Sequence, residues 1–209
     1  MAGELEGTIT TLEFVLKRYS IENNLEFPTN LPYTRSELTL LFKDLGYKVG
    51  AEIGVDRGLF SEQLCQTNPD LKLYCIDPWK MYKNYDEKQT EEDFNHRYIE
   101  TVQRLAPYNC DIIKKSSTGA LKTFIPNFLD FVYIDGNHSF DYVLEDLNGW
   151  SKVVKKGGIV SGHDYRSSIS SHGKWSVTKA VNQFLQEHQI KYLFLFIGRV
   201  DSSWFFINE

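Results

Sequence analysis

The sequence predicts an α/β protein built on one open, mostly parallel sheet, with helices on both faces and an antiparallel hairpin at its carboxyl end. Three observations carry that expectation. Short apolar runs alternate with amphipathic ones from Val49 onward, an order that demands right-handed crossovers and a parallel sheet. The run Phe128–Ile134 is almost continuously apolar, as a strand covered on both faces must be. Tyr192–Ile197 and Trp204–Ile207 are joined by too few residues to hold a helix, so the last two strands should pair antiparallel.

Two helices precede the alternation, over Thr8–Tyr19 and Arg35–Leu45. The second opens on Thr34-x-x-Glu37, a capping box in which each side chain satisfies a free backbone donor. Between them Phe27–Pro32 carries two prolines and reads as a loop. Seven candidate strands follow at Val49–Val55, Leu71–Asp77, Cys110–Lys114, Leu129–Asp135, Gly158–Gly162, Lys191–Ile197 and Trp204–Ile207. Helices fall near Gly58–Gln66, Glu91–Leu105, Ala120–Phe124, Phe140–Val153 and Ser176–Glu187. Residues 1–45 are therefore expected to form a short helical cap on an α/β domain of residues 46–209.

Composition narrows the function classes. The chain has 209 residues, below the roughly 250 at which cores usually divide. Its 42% hydrophobic residues and 14 glycines exclude a disordered or collagen-like chain. A net charge of −5, with no basic stripe, argues against a nucleic-acid partner. Cys65, Cys75 and Cys110 are odd in number and lack the spacing of a zinc knuckle or redox pair. They read as small buried hydrophobes in a reducing compartment, which is expected to be the cytoplasm. Met1–Glu13 is acidic and without a leader-like apolar block, and Tyr192–Ile197 is too short to span a bilayer. No membrane partner is expected.

In open α/β sheets, ligands collect beyond the carboxyl ends of the strands. Those ends carry Glu52-x-Gly54-x-x-x-Gly58, Asp77-Pro78-Trp79, Ser116-Ser117, Asp135-Gly136-Asn137-His138 and Gly162-His163-Asp164-Tyr165. Acids, hydroxyls and imidazoles on five neighbouring ends exceed what loop composition predicts. Each also has a plain reading. Gly54 and Gly58 can serve a tight turn or let a ligand approach the backbone. Glu52 suits a positively charged group such as an α-amino group. Asp77 can accept ribose hydroxyls or cap a strand, and Ser116 or Ser117 can meet an adenine edge or cap a helix. Asp135 before Gly136-Asn137 can be a simple turn, His138 a cap, Asp164 a loop acid. The Gly-x-Gly-x-x-Gly spacing of pyrophosphate binders is absent, which removes the main support for a nicotinamide enzyme.

Glu52-x-Gly54-x-x-x-Gly58, Asp77 and the terminal hairpin resemble the class I S-adenosylmethionine-dependent methyltransferases, whose sheet is Rossmann-like and seven-stranded. Tyr133–Phe140, Lys156-Gly157-Gly158-Ile159 and Ser161–Tyr165 are similar to the metal-dependent sugar O-methyltransferases of the macrocin and rhamnosyl type. The resemblance covers about Gly46 to Glu209. It implies S-adenosyl-L-methionine as cofactor, with Glu52 and the Gly54 and Gly58 turn on the methionine part and Asp77 on the ribose. Trp79, Ser116, Ser117 and Asp135 complete that set, the serines on the adenine side. It further implies a divalent cation, magnesium or manganese, on Asp135, His163 and Asp164. Relatives carry oxygen ligands at both of the last two positions, whereas this chain has His163 at the first, and imidazole suits manganese better than magnesium. The implied general base is His138.

The chemistry calls for such groups. A sugar hydroxyl is a weak nucleophile; a cation can orient it and lower its pKa. A histidine near neutral pKa can take its proton, an effect of roughly 10²–10⁴ in rate. Two segments are expected to select the acceptor: Lys80–Arg104, with Tyr82, Tyr85, Phe94 and Tyr98, and the serine-rich Arg166–Trp175. Trp79, Tyr165 and Trp175 can stack on a sugar face, although aromatics more commonly fill cores. The acceptor is then a glycan or small-molecule hydroxyl, with a deoxyhexose such as rhamnose the leading expectation. A catechol-like diol is the nearest alternative, and a non-catalytic module that binds S-adenosylmethionine is the rival from another class. The leading helices can pack on a second copy of the chain or cover the site.

Overall fold

The computed structural model describes residues 9–22, 25–81, 90–165, 176–198 and 202–209. Its elements run α1 (Thr11–Arg18), β1 (Thr29–Leu31), α2 (Ser36–Asp44), β2 (Val49–Ile53), α3 (Leu59–Thr67), β3 (Lys72–Asp77), α4 (Glu91–Leu105) and β4 (Cys110–Lys114). They continue with α5 (Ser117–Leu121), β5 (Leu129–Ile134), α6 (Phe140–Val153), β6 (Val154–Gly162), α7 (Ser176–Glu187), β7 (Phe194–Ile197) and β8 (Ser202–Ile207). The sheet order is β1-β7-β8-β6-β5-β2-β3-β4. All pairings are parallel except those of β8 with β6 and with β7. The mostly parallel sheet with a terminal antiparallel hairpin is therefore present, with one strand more than the expected seven.

The eighth strand is β1, from the stretch expected to be a loop. Thr29–Leu31 pairs in parallel with Phe194–Phe196, and the prolines that argued for a loop lie just outside it, at Pro28 and Pro32. An edge strand tolerates proline at its ends because its outer side needs no ladder donors. A second correction concerns α2. Thr34 and Glu37 form no capping box: the residue before the helix is Arg35, with no side-chain cap bond. The Glu37 carboxylate instead accepts from Arg18 at 2.8 Å and from the Tyr19 hydroxyl at 3.3 Å, tying α2 to α1. Capping boxes do form at Thr10 with Glu13 on α1 and at Thr90 with Asp93 on α4.

Alternation along β5 divides the interior between the two faces of the sheet, as strand geometry requires. Leu129, Val132 and Ile134 pack with Leu147 and Trp150 of α6 and Phe184 of α7. Phe131 and Tyr133 face the other way, against Phe42 of α2 and Phe60 and Leu64 of α3. Phe131 stacks on Phe42 with ring centroids 4.0 Å apart. Cys65 and Cys75 are buried, Cys110 is half-buried, and all three are free thiols. Among the described residues no helix is long and apolar enough to cross a membrane.

Candidate active site

The central strands β2, β3, β5 and β6 end side by side, with Ile53 opposite both Ile76 and Ile134, and Ile134 opposite Gly162. That register brings the residues after each strand to one edge. Gly54 turns there with φ +89°, and a Cβ added to it would stand 2.2 Å from the Asp135 carbonyl oxygen. Its N–H donates to Ile76, while the Asp135 N–H donates to Ile53. The β2 turn is thus pinned to both neighbours, and only glycine fits. Gly54→Ala is expected to destabilise the fold by about 2 kcal/mol, read from the urea midpoint. A wild-type midpoint would show that the turn has room to spare.

Two cavities meet at Gly54 and Gly136. One is also lined by Ile76, Ser116, Ser117, Asn137, Tyr142 and Asp146. The other is lined by Asp56, Asp77, Trp79, Phe94, Asp135 and His138 among others. Six expected site residues besides Gly54 therefore line one or the other: Asp77, Trp79, Ser116, Ser117, Asp135 and His138.

Several of them serve the fold as well. Asp77 accepts the backbone N–H groups of Val55 and Asp56, each at 3.0 Å, and of Trp79 at 2.7 Å. Burial raises its pKa against those bonds. Ser116 caps α5 through the Gly119 N–H. The Ser117 hydroxyl donates to Asp146 and accepts the Trp150 indole N–H at 2.7 Å. Burial pushes the Asp146 carboxyl up to about 7, against that serine bond. Trp79 is 3% exposed and donates its indole N–H to the Asp56 carbonyl.

Glu52, Gly58 and Tyr165 are placed differently. Glu52 is 2% exposed and its carboxylate accepts from Ser61 of α3; it lines neither cavity. Burial pushes its pKa up to about 8, against the Ser61 bond. Gly58 precedes α3 with φ +74° and backs onto Thr101 and Leu105. Tyr165 is buried, its hydroxyl donating to Asn182 of α7 at 2.7 Å. It is a core residue rather than an exposed platform. Trp175 and the rest of 166–175, with Tyr82 and Tyr85, lie outside the described residues.

The densest cluster joins the ends of β5 and β6. Asn137 accepts the Ser139 N–H and hydroxyl, at 2.9 and 2.8 Å, in a turn that starts α6. His138 is thereby freed from capping. Its Nε2 lies 3.2 Å from Asp135 Oδ1 and its Nδ1 lies 3.2 Å from Asp164 Oδ2. His163 Nδ1 lies 3.1 Å from Asp164 Oδ1 and 3.7 Å from Asp135 Oδ1. Burial alone would lower the pKa of both imidazoles. The hydrogen bond and charge of Asp135, then Asp164, raise His138 above its ordinary value. For His163 the Asp164 bond and the two carboxylate charges push it up to about 9. Asp164 holds φ +59°, a conformation that costs a non-glycine residue energy and collects at functional sites. Burial raises its pKa, but the bond and charge of His163, with His138 and Arg35, win and lower it.

Arg35 and Asp146 escaped the sequence reading. Arg35 stands at the start of α2 and places its guanidinium over the Phe60 ring, 5.2 Å from its centre, and 3.7 Å from Asp135 Oδ2. Nothing local to a residue in the leading segment signals a reach to the far strand ends. Asp146 had a weak signal, one helical turn after Tyr142 on the face that α6 turns toward the cavity.

A divalent cation does not fit this set as it stands. Among the described residues no group of three or more histidine, cysteine or acidic side chains has the geometry to hold one. His163 is instead hydrogen-bonded to Asp164, Asp135 pairs with His138 and lies 3.7 Å from His163, and the Arg35 guanidinium stands 3.7 Å from Asp135.

Comparison with known proteins shows the family and the fold. The family model for a methyltransferase domain matches residues 51–165, a stretch that contains all of the strand ends described above. An uncharacterized protein, R132 of Acanthamoeba polyphaga mimivirus, is 29% identical over 149 residues, 70% of this chain. The chain spans 62% of that relative's length. Among solved structures, the O-methyltransferase TomG of Streptomyces achromogenes, in complex with SAM, superposes with a TM-score of 0.60 at 15% identity, covering 83% of this chain and 79% of that one. An O-methyltransferase family protein of Burkholderia thailandensis gives 0.59 at 9% identity, over 83% of this chain and 55% of its own. With more than half its length in the family model, and the fold shared with those structures, the chain belongs to the methyltransferase domain family.

Proposed function

We propose that this protein transfers a methyl group from S-adenosylmethionine to a sugar hydroxyl, a deoxyhexose such as rhamnose being the first acceptor to test, with His138 as general base. The single observation that carries the reading is the His138 imidazole, held between Asp135 and Asp164 at the rim of the cavity that Gly54, Asp77 and Gly136 line. Membership of the methyltransferase family supports the reaction class. The resemblance of Tyr133–Phe140 and Ser161–Tyr165 to sugar O-methyltransferases supports the acceptor.

The residues fit the donor. Gly54 leaves bare backbone where a Cβ would fill the turn. Asp77 stands at the end of β3 beside it, and Ser117 and Asp146 offer a polar edge for adenine in the adjoining cavity. When bound, the sulfonium supplies an electrophilic methyl group. The acceptor hydroxyl must lie in line with it, within reach of a His138 nitrogen that takes the proton as the oxygen–carbon bond forms.

The test is an acceptor panel of deoxyhexosides, hexosides, catechols and other vicinal diols, incubated with S-adenosylmethionine and read by mass spectrometry. A gain of one methylene on the sugars is expected. Methylation of flat phenols alone would replace the sugar reading with the catechol-like one. Donor binding by calorimetry without product on any acceptor would favour a silent binding module.

A further inference from the structure

All four carboxylate oxygens of Asp135 and Asp164 already face a nitrogen of this chain. Asp135 Oδ1 faces His138 at 3.2 Å and His163 at 3.7 Å, while Oδ2 faces Arg35 at 3.7 Å. Asp164 Oδ1 faces His163 at 3.1 Å and Oδ2 faces His138 at 3.2 Å. A cation seated between the two acids would have to displace these partners one by one. Three are ring nitrogens that can swing away. The guanidinium is different, because it carries its charge at every pH at which the protein folds. It is also held from behind, lying over Phe60 in a cation–π contact. Like charges repel in proportion to their product, and more strongly in a partly buried site than in water. A divalent ion beside Arg35 therefore meets roughly twice the repulsion of a monovalent one.

We propose that Arg35 replaces a divalent cation as the fixed positive charge of this site, so that Asp135 and Asp164 are neutralised, and the acceptor hydroxyl held, by protein groups alone. Asp135 Oδ2 pairs with one nitrogen of the guanidinium and the Tyr133 hydroxyl takes a hydrogen bond from it, and the remaining donors of this planar, five-donor group can meet an acceptor oxygen. Arg35 is thus a positioning residue delivered by the leading segment to the strand ends of the domain behind it. The part concerning the acceptor rests on the proposed sugar methylation; the part concerning the cation does not.

The deciding measurement is calorimetric titration of manganese chloride into the full chain saturated with S-adenosylhomocysteine. Wild type is expected to show no one-site binding tighter than about 1 mM. A stoichiometric site tighter than that, abolished by Asp164→Asn, overturns the proposal. Arg35→Met, folded by circular dichroism, is expected to bind manganese at least about tenfold more tightly than wild type, and Arg35→Lys is not. A merely structural arginine would yield no such gain, and an unchanged titration in folded Arg35→Met removes Arg35 from the role. In the acceptor assay, turnover in EDTA is expected to equal turnover without it, and a loss restored by manganese also overturns the proposal. If no acceptor is methylated with or without metal, the functional reading fails while the titration still decides the cation.

Discussion

Alanine in place of His138 is expected to cut turnover by about 10²–10⁴ while leaving donor affinity and the urea midpoint near their wild-type values. The imidazole touches Asp135 and Asp164 through both nitrogens and does not cap α6, whose first turn is organised by Asn137 and Ser139. Losing it empties the rim of a cavity rather than the core. The rate should also carry the signature of a base. His138 must be unprotonated to accept a proton, and its neighbours hold its pKa above the ordinary imidazole value. Turnover should therefore rise with pH through that raised pKa. The groups facing His138 are Asp135, Asp164 and His163. Asp164→Asn removes one anion that favours the imidazolium, so the rising limb should move to lower pH. Single-turnover rates across pH 5 to 9 test both points. A profile that does not move in Asp164→Asn, or a fully active His138→Ala, would remove the histidine from proton transfer.

What the sequence made legible is what period and punctuation encode. Helices α4, α6 and α7 are amphipathic over long spans. Strand β5 is a buried apolar run, and the glycines and acids after the strands converge because parallel strands must end on one edge. What escaped is non-local. Strand β1 is three residues long and exists only because β7 lies beside it. Glu37 sits where a capping box would place it, but Arg18 of α1 and Tyr19 just after that helix hold its carboxylate instead. Arg35 belongs to the site only through the packing of α2 on the sheet. Tyr165 follows the histidine–aspartate cluster in sequence, yet its hydroxyl finds Asn182 of α7. A strand end fixes where a backbone arrives. It does not fix which side of the sheet the next side chain takes.

Glu52 is the sharpest instance, and its replacement by glutamine should be one of the rare changes at such a motif that strengthens the fold. The carboxyl is wholly enclosed, accepts from Ser61, and has its pKa pushed from 4.5 up to about 8 by burial. The unfolded chain gives up this proton near 4.5, whereas the folded chain keeps it until about 8. Between those values the folded state binds the extra proton, so stability falls as pH rises, by about 1.4 kcal/mol per pH unit. The contribution is fully present below 4.5 and lost above about 8, a difference on the order of 5 kcal/mol. Glutamine keeps the shape and an oxygen for Ser61, and it never ionises. Glu52→Gln is therefore expected to match wild type in urea unfolding near pH 5 and to exceed it by several kcal/mol near pH 9. The same variant separates two roles for the motif. A carboxylate that faces Ser61 and lines neither cavity should leave the affinity for S-adenosylhomocysteine within about threefold of wild type. A loss of a hundredfold, with the stability gain absent, would show instead that Glu52 is ionised in the folded protein and grips the amino group of the donor directly.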